Sequence, residues 1–224
     1  MNTLSLISSR HCVRSYDSNR SVPKALISEI LDAAKFAPSS QNTQPWNCTI
    51  ITGCTLKSLS ERLLKEFDVN IPRTPDYLNR PTTLPERMKE EMNKYGKSLY
   101  EDHFGLPRDD IKARQAIYRN NYSFWGAPML IVLTIPSGSV AGTFIDSGLF
   151  IQNVLLGCHG SGLGALPQFS IAAYSPAVKE VAGIPKDEVI VCGISIGYPK
   201  DDERGLRSWR PERKSLDSFT RWLD

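Results

Sequence analysis

Ala37-Pro38-Ser39-Ser40-Gln41-Asn42-Thr43-Gln44-Pro45-Trp46 is the stretch on which the reading of this chain turns. Two prolines enclose a run of amides and hydroxyls, a composition that favours a loop over any regular element. What flanks it is regular. Upstream, residues 23–35 place Ile27, Ile30, Leu31 and Ala34 at the i, i+3, i+4 and i+7 positions of an amphipathic helix. Pro23 lies where a helix tolerates proline, and Pro38 disfavours a helical residue before it, so the helix stops near Ala37. Downstream, residues 49–52 are rich in β-branched side chains and predict a short strand. The stretch is therefore a polar loop joining a helix to a strand.

Moving outward, residues 56–67 read as a helix. Residues 68–121 then change character, with Pro72, Pro75, Pro81, Pro85 and Pro107 among many charges. They predict an excursion from the core, a lid or cap with surface helices at 86–100 and 108–122. Residues 127–135 form a buried strand. Residues 143–159 form a helix apolar nearly all round, suited to the middle of a fold or to a large interface. Another strand covers 189–197. The tail, 201–224, is a basic loop and then a short helix with Leu216, Phe219 and Trp222 on one face. Mixed helices and short strands over 224 residues predict one α+β domain, residues 1–224, with the excursion inserted.

Composition narrows the classes of function. The apolar fraction is 41% and the formal net charge is +3. Neither disorder nor a dedicated nucleic-acid binder fits that balance. The five cysteines, Cys12, Cys48, Cys54, Cys158 and Cys192, contain no C-x-x-C pair and read as free thiols. His11, His103 and His159 lack the spacing of a zinc site, so no metal is expected. No signal peptide and no membrane span are legible, which predicts a soluble, cytoplasmic protein.

No nucleophile motif stands out, which leaves either a non-enzyme or a protein whose cofactor carries the chemistry. Gly160-Ser161-Gly162-Leu163-Gly164-Ala165 imitates a dinucleotide fingerprint but follows a helix rather than a strand. A left-handed helix cap at Gly160 or Gly162 is the better reading. Arg10 and Arg14 stand four apart in Arg10-His11-Cys12-Val13-Arg14, and guanidinium groups bind oxyanions through paired donors. Arg204, Arg207, Arg210, Arg213 and Lys214 make a second basic cluster near the other end. Spacing alone leaves open whether these are solvated surface or two halves of one anion site.

Taken together, these segments resemble the nitroreductase family. Arg10 to Tyr16 looks like its R-R-S-x-R-x-[FY] opening, and residues 37–46 resemble its A-P-S-x-x-N-x-Q-P-W signature almost residue for residue. Asn121-Tyr122-Ser123-Phe124-Trp125-Gly126-Ala127-Pro128 is similar to N-Y-x-F-F-x-A-P. Asp146-x-Gly148 with Gln152, Gly162-Leu163-Gly164, Pro167-Gln168, Gly193-x-x-x-Gly197-Tyr198 and Arg213-Lys214-Ser215-Leu216 complete the match. The resemblance spans the chain and is weakest in the lid.

The resemblance implies a helix-flanked sandwich around a mostly antiparallel sheet, in an intertwined homodimer with FMN at the subunit interface. Arg10 would pair with the FMN phosphate, His11 and Cys12 would contact the ribityl and pyrimidine portion, and Arg14 would approach N1 and O2. Arg213, helped by Arg210, would reach the same phosphate. Ser39, Ser40 and Asn42 would come from the neighbouring subunit. Pro167, Gln168 and Phe169 would lie along the ring near N5, and Phe124 and Trp125 would border the substrate pocket. The chain departs from the family pattern at His11, Cys12, Leu166 and Trp125.

The implied activity is ping-pong reduction of nitroaromatic compounds with NADH or NADPH, closest to nitrobenzoate-reductase-like members. The flavin carries the chemistry, and no protein acid or base is required. The alternatives are other chemistry on the same scaffold (dehalogenation, ene- or quinone reduction) and a non-catalytic flavin-binding protein. A basic-tail module that binds polyanions is a third.

Overall fold

The computed structural model describes residues 2–200 and 209–223. Among these, four strands form one antiparallel sheet in the order β1-β2-β4-β3. The strands are β1 (Asn47–Thr52), β2 (Met129–Pro136), β3 (Gly164–Gln168) and β4 (Glu188–Gly197). The helices are α1 (Thr3–Ser9), α2 (Lys24–Ala34), α3 (Gly53–Asp68), α4 (Glu86–Gly96), α5 (Ile111–Arg119), α6 (Ala141–Gly160), α7 (Phe169–Ala172) and α8 (Ser175–Ala182).

Strand β2 explains the layering. Its residues from Met129 to Ile135 are all buried, as a strand covered on both faces must be. Successive side chains point to opposite faces. Met129, Ile131, Leu133 and Ile135 pack with Ile27, Ile30 and Ala34 of α2 and Phe150, Val154 and Cys158 of α6. Leu130 and Val132 pack with Leu56, Leu59 and Leu63 of α3 and Val178 of α8. Two helical layers therefore sandwich the sheet.

The pairing of β2 with β4 shifts register between Leu133 and Thr134, so that Leu133 faces Cys192 and Thr134 faces Ile190. The extra residue, Val191, moves the alternation by one. Ile190 consequently joins the α3 layer while Cys192, Ile194 and Ile196 face the α2 and α6 layer. The bulge also frees backbone groups. The Ile190 N–H donates to Asp76 Oδ2 at 2.8 Å and the Val191 carbonyl accepts from the Tyr77 hydroxyl at 2.8 Å. Asp76 further accepts from Ser175 Oγ at 2.6 Å and Lys179 Nζ at 3.0 Å. The start of the proline-rich excursion is thereby clamped to the sheet.

Beyond the clamp, α4 passes into a π-helical stretch (Lys97–His103), and α5 passes into a 3₁₀ turn (Asn120–Gly126). The expected long helices at 86–100 and 108–122 are therefore each split, and the second starts at Ile111. Within the turn, Phe124 and Trp125 both have φ of +55° and Gly126 has +80°. Left-handed backbone at two consecutive bulky residues carries strain.

The glycine-rich segment ends α6 as expected of a cap. Gly162 has φ +76°, its N–H meets the His159 carbonyl at 3.2 Å, and the Leu163 N–H meets the Cys158 carbonyl at 2.8 Å. That pair of bonds is the Schellman arrangement. The segment then opens β3, which sequence reasoning did not identify, along with α1, α7 and α8. The tail differs from expectation. Among its described residues, 209–223, the one 3₁₀ turn (Leu216–Ser218) packs no apolar face, and Leu216, Phe219 and Trp222 are 58%, 67% and 85% exposed.

Candidate functional site

Residues 12–17 run along the sheet like an additional, irregular strand. Cys12 bridges Ala165 in parallel, with the Val13 N–H 3.3 Å from the Ala165 carbonyl. Further on, Asp17 N–H meets the Tyr198 carbonyl at 2.9 Å and Lys200 N–H meets the Ser15 carbonyl at 3.0 Å. Val13 and Tyr16 are buried, and the Tyr16 hydroxyl donates to the Val13 and Ser195 carbonyls. A Cβ on Gly164 would come within 2.7 Å of the Val13 side chain, so this close approach requires glycine. Anchored in this way, the segment turns Arg14 toward the end of β3.

There a cleft of about 510 Å³ opens between the sheet and the excursion. Arg14, Leu166, Pro167, Gln168 and Phe169 border it from the sheet side, with Trp125 beside them. Tyr95, Leu99, Tyr100, Arg114 and Tyr118 border it from residues 69–120. Arg14 Nη2 donates to the Tyr95 hydroxyl at 3.2 Å, and its guanidinium lies 5.5 Å from the ring centre of Trp209. Trp209 also makes an edge contact with Tyr95 and donates to Ser98 Oγ at 3.3 Å. The tail thus closes over the lid at Arg14. Burial raises the Tyr100 hydroxyl above its ordinary value, so it remains a neutral donor.

The Gln168 side chain turns away from the cleft. Its amide Nε2 donates to the Asn121 carbonyl at 3.1 Å and to Asn121 Oδ1 at 3.2 Å, and its Oε1 accepts from the buried Ser195 hydroxyl. Asn121 Oδ1 also accepts from Trp125 Nε1 at 3.1 Å. This network holds the 167–169 backbone at the cleft floor and fixes Trp125 on its wall. Phe124 is 1% exposed and belongs to the core with Leu59, Tyr122 and Val132. It is corrected from a pocket residue to a core residue, because the kinked 3₁₀ turn sends its ring inward.

One member of the second basic cluster, Arg210, reaches the N-terminal segment. Arg210 Nη2 donates to the Ser9 carbonyl at 2.8 Å and lies 3.0 Å from His11 Nδ1. His159 Nε2 is 2.9 Å from Ser9 Oγ, and the His11 and His159 rings meet edge to face. Arg10 Nη1 is 3.9 Å from Cys12 Sγ. Burial, then His11, Arg210 and Arg10, lower the His159 pKa below its ordinary 6.5. This corner of the fold is electropositive, and neither Arg10 nor Arg210 pairs with a carboxylate among the described residues. Arg213 does not join them. It is exposed and its closest hydrogen bond is to the Pro211 carbonyl at 3.5 Å. Arg204 and Arg207 lie outside the described residues.

Ser39, Ser40 and Asn42 sit elsewhere. Their loop is docked on α6, where the Ser40 N–H donates to the buried Asp146 carboxylate at 3.2 Å. Ser39 Oγ accepts from the Gln44 N–H at 3.0 Å, and Gln41, Asn42 and Gln44 all have positive φ. The loop borders neither the cleft nor the Arg210 corner of its own chain. The residues that sequence reasoning missed are those of the lid wall, Tyr95, Tyr100 and Arg114 foremost. Their only signal was aromatic and basic side chains interleaved in a charged excursion. No metal-binding group of side chains occurs among the described residues, and none of their helices is long and apolar enough to cross a membrane.

Known proteins are similar to this chain in sequence and fold. A family model described as the nitroreductase family matches residues 7–198. A 4-nitrobenzoate reductase of Nocardioides sp. (strain LMS-CY) is 34% identical over 97% of this chain and 88% of its own length. A 4-nitrobenzoate reductase of Pseudomonas putida is 32% identical over 97% and 94%. The crystal structure of the FMN-dependent nitroreductase NfnB from Mycobacterium smegmatis, in complex with NADPH, superimposes with a TM-score of 0.92. It is 27% identical, with 99% of this chain and 97% of that one covered. The residues 7–198 that the family model matches include the N-terminal arginine segment, the polar loop and the cleft floor, and the chain belongs to the nitroreductase family.

Proposed function

We propose that this protein is an FMN-dependent oxidoreductase that uses NAD(P)H to reduce nitroaromatic compounds through nitroso to hydroxylamine products, as a homodimer. The observation that carries the reading is the joining of Arg14 and the 167–169 segment in one aromatic-walled cleft, next to a corner where Arg10, His11 and Arg210 gather.

The donor set fits the cofactor. A phosphate monoester carries roughly −1.5 to −2 charge at neutral pH, and Arg10 and Arg210 are cations without carboxylate partners among the described residues. Arg14 at the cleft places positive charge where a reduced flavin ring develops negative charge. When bound, FMN supplies the two-electron redox step between nicotinamide and acceptor. The chain's own part is positioning. Pro167 and Phe169, braced by Gln168, form a rigid floor, while Tyr95, Leu99 and Tyr100 wall the cleft against water. Flat aromatic walls suit stacking by an electron-poor ring.

Two features support the homodimer. The Ser39, Ser40 and Asn42 loop borders no site of its own chain and so is available to a second copy. Helix α6 leaves Ile145 and Leu149 67% and 42% exposed, and the tail exposes Leu216, Phe219, Trp222 and Leu223. Exposed large apolar side chains of that kind are what obligate dimers bury.

The test is spectroscopic and then kinetic. Purified protein is expected to bind one FMN per chain, and the flavin absorbance is expected to bleach under NADPH without oxygen and return on adding 4-nitrobenzoate. Protein that binds FMN but is not bleached by either nicotinamide would be a flavin-binding protein without this activity. Turnover restricted to quinones or halophenols would move the assignment to other chemistry on the scaffold.

A further inference from the structure

Asn121 closes the lid excursion, and its side chain bonds to the floor of the cleft, to its wall and to the last turn of α5. Oδ1 accepts from Gln168 Nε2 at 3.2 Å and from Trp125 Nε1 at 3.1 Å, while Nδ2 donates to the Tyr118 carbonyl at 2.7 Å. A carbonyl oxygen has two lone pairs, so Oδ1 is fully used. The Asn121 main-chain carbonyl takes a further bond from Gln168 Nε2 at 3.1 Å. An amide supplies this acceptor and this donor together, which neither an ionised carboxylate nor an aliphatic side chain does.

The network continues behind the floor. Gln168 is buried and accepts at Oε1 from the hydroxyl of Ser195, which is fully buried and borders no part of the cleft. The Ser195 carbonyl accepts from the Tyr16 hydroxyl at 3.2 Å, which lies 2.9 Å from the Val13 carbonyl. A relay of neutral groups therefore runs from the segment bearing Arg14, beneath the floor, to Trp125. The far end of this relay is under strain. Phe124 and Trp125 are consecutive bulky residues in left-handed backbone, a state that persists only where its surroundings over-determine it. Burial holds Phe124, whereas Trp125 is half-buried and its indole N–H is tied to Asn121.

We infer that Asn121 is a positioning residue for hydride transfer: through one side-chain oxygen it fixes the Pro167–Phe169 floor and the Trp125 wall relative to each other. The inference rests on the reductase reading above and adds to it a residue that acts through Gln168 and Trp125. A buried network with every bond made is stiff, and stiffness here has a kinetic use. Displacing reacting groups by about 1 Å costs on the order of a hundredfold in rate. Ser195 is the second member of the device. It supports the floor from the side away from the cleft, so any effect of its loss on the chemistry must pass through Gln168. A brace that served stability alone would lower the melting temperature or release the flavin. It would leave the hydride step of loaded protein unchanged.

The test uses FMN-loaded protein and two readouts, the rate of anaerobic flavin bleaching at saturating NADPH and hydrogen exchange at the Trp125 indole. Trp125→Phe identifies the indole signal. Asn121→Leu removes the shared oxygen and is expected to raise indole exchange about tenfold and to slow bleaching about tenfold. FMN affinity and the NADPH concentration for half-maximal bleaching should move less than about twofold. Asn121→Asp keeps the oxygen and should recover part of the indole protection. Ser195→Ala, a near-isosteric change that keeps the inference testable if Asn121→Leu fails to fold, should slow bleaching about threefold. Bleaching at the wild-type rate in these variants would overturn the inference while sparing the reductase reading. So would an Asn121→Leu protein with unchanged indole exchange, or slow bleaching that follows only from released FMN. Wild-type protein that holds FMN and is bleached by neither nicotinamide would end the reductase reading and this inference with it.

Discussion

Arg210 is the side chain through which the tail reaches Ser9 and His11, and its loss should be felt in cofactor affinity. Removing one charge-assisted bond to a phosphate costs about 1.5–3 kcal/mol. Arg210→Ala is therefore expected to weaken FMN at least about tenfold by flavin-fluorescence titration, while Arg213→Ala should change it little. The family resemblance ranked Arg213 ahead of Arg210, and the fold reverses that order by bringing Arg210, not Arg213, to Ser9 and His11. The fold also separates Phe124 from Trp125. They are adjacent in one motif, yet the left-handed turn buries one and leaves the other on the cleft wall. His159 carries a pH consequence. An unfolded histidine titrates near 6.5, and His159 in the fold titrates lower. Between those values the unfolded chain holds the proton and the folded chain does not. Stability of the cofactor-free protein should therefore fall as pH drops below 6.5 and level off beneath the folded pKa. Urea titrations across that range should show the slope in the wild type and less of it in His159→Asn.

Among the elements, β3 and the segment beside it decide where the cleft lies. Gly164→Ala drives a methyl into Val13 and is expected to cost about 1–3 kcal/mol. Val13→Ala in the same chain should return part of that loss, which thermal melts of the two single variants and the double would reveal. The clamp at the base of the lid gives a second expectation. Asp76→Ala leaves the Ile190 N–H and Lys179 without their acceptor. It should cost about 3 kcal/mol and speed protease cutting within residues 69–85. Elements with a strong apolar signal were legible from sequence. Helix α2, with its stripe, and α6, β2 and β4, with their near-continuous apolar runs, lie within a few residues of expectation. Strand β3 was not legible. It has five residues including glycine and proline, and it is a strand only because β4 and the 12–17 segment flank it. Helix α1 fully buries no side chain and only partly covers Leu6, so it leaves no apolar stripe to read. The register shift at Val191, which flips the outer end of β4, has no sequence signal either.

For the molecule as a whole, the expectation is that pairing and cofactor retention are coupled. Ile145→Asp with Leu149→Asp places charge on the exposed apolar face of α6. Sedimentation should then report monomers, and these should lose FMN on gel filtration, since the Ser39 to Asn42 loop would no longer be supplied by a second copy. Dimers that persist with full flavin would refute that coupling. The polar loop was legible in composition and family likeness, but the second copy proposed to receive it is not something that spacing along one chain encodes. The bond from Arg210 to the Ser9 carbonyl joins residues 201 positions apart. In the proposed cofactor site the N-terminal half of the anion pocket must wait, open and incompletely charged, until residue 210 has left the ribosome. Fragments cut short before Arg210 should therefore fold their sheet yet elute colourless.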